Sequence, residues 1–200
     1  MEIERNEKVL AMYRAVWQLL DEGRDLHKLK VSDITECAGI GKGTAYEYFR
    51  SKEEIVSKAM HYNCLLQFHM LRERVAEQEN YKTALQICFD WLSETCDSRK
   101  LILQVLKQTG DLSKKAGCTC ESEKKNGVYA VMMEILVHLV QLGRREKFVR
   151  SEISDQMATL QILSQFLGFF VYQTAVTSLK KSEISMTKEF LCDNIMKSLG

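Results

Sequence analysis

The 200-residue chain contains no proline at all. Proline removes a backbone donor and clashes with the preceding turn inside a helix, so its absence over this length favours an all-α fold. No run of 18 or more apolar residues occurs, and no membrane span is expected. The first residues, MEIERNEKVL, alternate acidic and basic side chains and lack the apolar core of a signal peptide. A cytoplasmic location is therefore expected. Charge is nearly balanced at +1, and residues 1–60 carry ten Lys or Arg against eleven Asp or Glu, so general electrostatic attraction to a polyanion is weak. The seven cysteines, at 37, 64, 88, 96, 118, 120 and 192, are odd in number and scattered, which argues against a disulfide framework. Catalytic signatures are missing too: no nucleophile has a base at motif spacing, no loop is built to cradle phosphate, and no paired carboxylates mark a cleft. No enzyme activity, metal or cofactor is expected.

What the chain does have is hydrophobic content, 46% of its residues, enough at this length to bury a core. Its most informative segment is VSDITECAGIGKGTAYEYFRSKEEI, Val31–Ile55. Gly39, Gly41 and Gly43 separate an apolar-periodic stretch (Ile34, Cys37, Ala38) from an aromatic one (Tyr46, Tyr48, Phe49). Gly39 suits the left-handed residue that ends one helix and turns the chain sharply into the next. Gly43 leaves the first turn of the following helix, about Lys42–Phe49, without a side chain, so its backbone can approach another surface. Two short helices on such a turn form a helix-turn-helix, whose second helix can enter a DNA major groove.

The surrounding pattern supports this reading. Val9, Met12, Tyr13, Val16, Leu19 and Leu20 recur at helical spacing in a first helix. Ser32 is the expected N-cap of the second helix, with Asp33 favourable in its first turn. Ser51 and Glu54 make an S-x-x-E capping box that starts a long fourth helix, to about Glu79. Further helices are expected over Tyr81–Cys96, Lys100–Lys107, Val128–Leu142 (ending at Gly143), from Ser151 or Ser154 to about Ser178, and around Ile184–Leu199. The polar stretch Gly110–Gly127 reads as a loop. The segment ILSQFLGFFVYQTAV is apolar nearly all round, as in a helix covered on two sides.

The ordered set Ile34, Ala38-Gly39, Lys42-Gly43-Thr44, Tyr46, Tyr48-Phe49 and Lys52-Glu53-Glu54 resembles the DNA-binding domain of the TetR family of transcriptional regulators. The likeness covers roughly residues 8–58, and Ala45 departs from it by being smaller than the apolar residue usual there. The resemblance implies an all-α chain with a three-helix helix-turn-helix DNA-binding head, residues 1–52, and a helical effector-binding and dimerisation body, residues 53–200. It implies DNA contact by Ser32, Lys42, Gly43 and Thr44 and phosphate contact by Tyr46, Tyr48 and Lys52. Double-stranded operator DNA, a small-molecule effector and a second copy of the chain are the expected partners, with no membrane. The expected function is a repressor released from a pseudo-palindromic operator by its effector.

In the body, Phe89, Trp91, Met132, Met133, Gln165 and Phe166 are candidates for an effector pocket, although each also suits ordinary core packing. Phe166, Gly168, Phe169, Tyr172, Phe190 and Ile195 are candidates for a dimer interface. Two other classes remain open at this stage. Cys118 and Cys120, close to Lys114, Lys115, Lys124 and Lys125, would suit a redox-responsive regulator. A helical protein-interaction module would use the helix-turn-helix only structurally.

Overall fold

A computed structural model describes residues 6–26, 28–96, 127–176 and 180–200. Among these residues the chain forms eight α-helices and no strand: α1 (Glu7–Asp21), α2 (Val31–Cys37), α3 (Lys42–Tyr48), α4 (Lys52–Ala76), α5 (Tyr81–Cys96), α6 (Val128–Arg145), α7 (Asp155–Ala175) and α8 (Lys181–Leu199). The helix expected over Lys100–Lys107, and all of the expected loop except Gly127, lie outside the described residues; so do Cys118 and Cys120. The chain divides into two compact units, Met1–Leu66 and Gln67–Gly200. The boundary expected at 52/53 is the start of α4, but Ile55 and Ala59 of that helix are buried in the head core, with Val56 and Tyr62 packed against it.

In the head, Asn6 caps α1 by accepting from the N–H groups of Lys8 (3.0 Å) and Val9 (3.4 Å). The apolar stripe of α1 (Val9, Met12, Tyr13, Val16 and Leu19) is buried in one cluster with Ile34, Ala45, Phe49 and Ile55. Gly39 has φ +67, the left-handed value required between α2 and α3, and the Ile40 N–H closes the turn on the Thr35 carbonyl at 2.9 Å. The expected cap of α2 is corrected: Ser32 lies inside the helix, and Lys30 is the capping residue. Asp33, at the third helical position, accepts the Lys30 N–H at 2.8 Å, the back-reaching half of a capping box, so the helix begins one residue before the expected cap. At α4, Ser51 Oγ accepts the Glu54 N–H at 3.2 Å, and the Glu54 carboxylate accepts the Arg50 N–H at 2.7 Å.

The body is built around α5, which packs against α6, α7 and α8. Phe89 of α5 meets Phe166 and Phe169 of α7 edge to face at 4.8 and 5.2 Å, a geometry favoured by the ring quadrupoles. Gln173 of α7 donates to Ser93 of α5 at 3.4 Å, so the two helices run in the same direction. α8 runs the other way along α5, with Lys82 paired to Asp193 and Lys188 to Asp90. α7 begins at Ser154, whose Oγ accepts the Met157 N–H at 3.2 Å.

Gly143 requires a second correction. It does not end α6, which continues to Arg145 and turns at Lys147 with φ +64. Gly143 is buried inside the helix, where an added Cβ would lie 2.7 Å from Val149 Cγ2 and 3.0 Å from Tyr81 Cζ. Glycine is there to let α6 approach α5 and the segment after it. Gly143→Ala should lower the unfolding free energy, because overpacking costs about 1–3 kcal/mol against about 1 kcal/mol of helix propensity regained. Urea denaturation measures it, and a raised midpoint would contradict the close-packing role.

Candidate nucleic-acid interface

α3 is a seven-residue helix with a single buried residue, Ala45, at 1% exposure. Phe49, directly after it, is also buried, with its ring 6.0 Å from Tyr13. These two contacts seat α3 on the head core and turn the rest of the helix outward. Lys42, Gly43, Tyr46, Glu47 and Tyr48 are exposed, and Thr44 is half-buried. Tyr46 has 54% of its surface open to solvent.

Gly43 carries the sharpest signal on this face. A Cβ built there meets nothing within 4 Å, and its φ is not in the left-handed region. Neither packing nor backbone conformation within the head requires glycine at that position. In a helix glycine is less favourable than alanine, so its presence fits a backbone that an outside surface must approach closely.

The other expected contacts are placed differently. Ser32 is half-buried in the first turn of α2, and its carbonyl accepts from Thr35 Oγ1 at 3.1 Å. Lys52 is half-buried and held inside the head, donating to the Leu26 carbonyl at 3.2 Å and lying 3.5 Å from Glu53. It ties the segment before α2 to the start of α4. The neighbouring Glu54 carboxyl is held below its usual range by the Lys58 ammonium and the Arg50 N–H. Arg50, expected with Lys42 and Lys52 to supply phosphate contact, follows α3 and is exposed.

In the body, Phe89 and Trp91 are buried, whereas Met132, Met133, Gln165 and Phe166 are half-buried. Phe89 and Phe166 touch in the aromatic cluster, Trp91 lies 4.9 Å from Phe68, and Gln165 accepts from Asn194 at 3.4 Å. The interface candidates are corrected in part. Phe169 (2%) and Ile195 (0%) are fully buried in the body's own core and cannot face a second chain. Phe166 is occupied by Phe89, while Gly168, Tyr172 and Phe190 are exposed. Sequence reasoning missed Met157, Leu160, Leu167, Val171 and Met186, all exposed on α7 and α8. Burial raises the thiol pKa of Cys64 and Cys192 to about 12 and that of Cys88 higher still, which keeps all three unreactive.

Residues 20–59 match the sequence model of the bacterial regulatory proteins of the tetR family. No curated protein matches the chain. Among solved structures, the regulator FadR from Bacillus subtilis, in complex with stearoyl-CoA, is 15% identical over 96% of this chain and 99% of its own, with a TM-score of 0.61. The fatty acid degradation regulator FadR from Bacillus halodurans is 16% identical over 96% of each chain, with a TM-score of 0.63. The ketosteroid regulator KstR2 of Mycobacterium tuberculosis is 18% identical over 98% of this chain and 96% of its own, with a TM-score of 0.56. The head is thus a TetR-family helix-turn-helix domain, and the whole chain has the all-helical fold of TetR-family transcriptional regulators.

Gly43→Ala should raise stability by about 0.4–1 kcal/mol, since it restricts the unfolded chain and meets no atom in the folded one. Chemical denaturation of the full chain measures this; a loss of stability would show that the position is constrained from within.

Proposed function

We propose that this regulator is a homodimeric repressor that reads a pseudo-palindromic operator through the exposed face of α3 and is released by a small molecule bound in the body. The observation that carries the DNA reading is the outward face of α3, with an unneeded glycine at 43 flanked by Lys42, Thr44, Tyr46 and Tyr48. Lys42 can donate to guanine acceptors or phosphate, and Thr44 can offer a hydroxyl or methyl to base edges. Tyr46 and Tyr48 suit phosphate contact. The near-neutral head makes placement, rather than bulk charge, the source of affinity.

Dimerisation is supported by the exposed apolar residues of α7 and α8: Leu160, Leu167, Val171 and Tyr172 on the one, Met186 and Phe190 on the other. Met186 and Phe190 keep 71% and 67% of their surface in solvent, which a second copy of α7 and α8 would cover. Gly168, with nothing within 4 Å of a built Cβ, lies among them and allows close helix approach. Two heads so joined would meet two half-sites. The effector acts through its different affinities for the DNA-competent and DNA-incompetent dimer states. One protein of this fold is a fatty acid degradation regulator and another, a transcriptional regulator, holds stearoyl-CoA, so a long-chain acyl-CoA is the first effector to test.

Selection of bound fragments from sheared genomic DNA should recover a few pseudo-palindromic sites, lost with Lys42→Ala and with Gly43→Leu. Recovery of nothing by a folded dimer, or equal recovery by both variants, would contradict the DNA reading. Phe190→Glu should convert the dimer to a monomer in analytical ultracentrifugation, whereas an unchanged sedimentation coefficient would move the interface elsewhere.

A further inference from the structure

The head carries a cavity of its own, about 580 Å³, between α1 and the middle of α4. Tyr13, Trp17, Asp21 and Glu22 line it from the one helix, Tyr62 and Leu66 from the other. All belong to the unit Met1–Leu66. The volume falls within the range of small-molecule sites, about 300–1,000 Å³.

Helical spacing gathers these side chains. Positions 13, 17 and 21 recur every fourth residue along α1, as do 62 and 66 on α4, so each set shares one face. Trp17 Nε1 donates to the Ala59 carbonyl at 3.4 Å and ties the two helices together just before Tyr62. The rings of Tyr13 and Tyr62 lie 5.4 Å apart, and Tyr13 is in turn 6.0 Å from Phe49, the residue that seats α3. Tyr13 is buried, whereas Trp17, Tyr62 and Leu66 are half-buried and keep aromatic and aliphatic surface open.

The charge on this cavity is uneven. Asp21 and Glu22 are exposed at the C-terminal end of α1, where the helix dipole is negative and the last turn holds no basic side chain. Among the described residues neither carboxylate is in an ion pair, and Glu22 accepts only from Gln18 Nε2, at 3.2 Å. Arg14 also lines the cavity, but it precedes Asp21 by two turns, about 10 Å along the axis. Arg24, beyond the helix end, is exposed and lies outside the lining. Trp17 therefore stands one turn from two carboxylates that nothing neutralises. An anion at that end would meet like charge. A cation would be attracted by the carboxylates, by the dipole and by the aromatic rings, whose electron-rich faces bind ammonium groups.

We propose that this cavity is a binding site for an organic cation, a flat or quaternary ammonium with an apolar body, held against Trp17 and Tyr62 with its charge toward Asp21 and Glu22. The site lies wholly within the head. It is separate from the effector proposed for the body, and it rests on neither the operator nor the effector reading.

The test is isothermal titration calorimetry of the full-length protein with N-methylquinolinium, a flat permanent cation. Quinoline at a pH where it is neutral and the anion 1-naphthoate are the comparison probes. One N-methylquinolinium per chain should bind, about 10-fold tighter than quinoline, and added sodium chloride should weaken the cation alone. The double substitution Asp21→Asn, Glu22→Gln keeps shape and removes both charges, and it should weaken the cation about 3- to 10-fold while leaving quinoline unchanged. Glu77→Gln with Glu79→Gln alters net charge equally outside the lining and should leave the Kd unchanged. Trp17→Leu should weaken both probes, the cation about 3- to 10-fold. Circular dichroism and melting report whether each variant is folded; should Trp17→Leu fail to fold, Tyr62→Leu reads the same wall. No binding, binding of quinoline or 1-naphthoate as tight as that of the cation, or an unchanged Kd in the carboxamide or the aromatic variant would each overturn the proposal.

Discussion

One small contact governs the head. α3 is seated by Ala45 and by Phe49 immediately after it, and no other residue of the helix is buried. With α1 and the start of α4 closing over Ile34, Phe49 and Ile55, the core holds α3 rigidly while spending almost none of its surface. The small side chain at 45 brings the helix backbone close to that core, and the exposed remainder is then available to another molecule. A larger buried face on so short a helix would leave no outward surface to read DNA with.

The body solves a different problem, the burial of many large apolar side chains from few helices. Phe89 is its hub, meeting two phenylalanines of α7 edge to face, and ion pairs at the rim hold α8 in register along α5. Such exposed pairs are individually worth little, about 0–1 kcal/mol, so they select the register more than they supply stability. Among the described residues two features stay unsatisfied: the apolar side chains left outside on α7 and α8, and the polar atoms left unpaired inside. The first is what the proposed second copy of α7 and α8 would cover.

Much of this was readable in advance where the signal is local. The bounds of α3 and α5, the capping at Ser51 and at Ser154, and the left-handed turn at Gly39 follow from periodicity, cap chemistry and glycine, all confined to a few residues. Failures came where the deciding partner is distant in sequence. Gly143 looked like a helix stop, and only Tyr81 and Val149 show that it is a close-packing site. In an all-round apolar helix the sequence carries no mark of which side faces inward, so Phe169 was assigned outward while Leu160 and Val171, which are outward, went unnoticed. Lys52 reads as a phosphate ligand from charge and position; its bond to the Leu26 carbonyl depends on a chain segment 26 residues away.

The central claim is that the outward face of α3 lies against DNA, and photo-crosslinking from a single position tests it most directly. A benzophenone amino acid at position 46, on α3, is compared with the same group at position 129, an equally exposed tyrosine site on α6. The account predicts a covalent protein–DNA adduct on irradiation from position 46 and none from position 129. Crosslinking from 129 with none from 46 would contradict it.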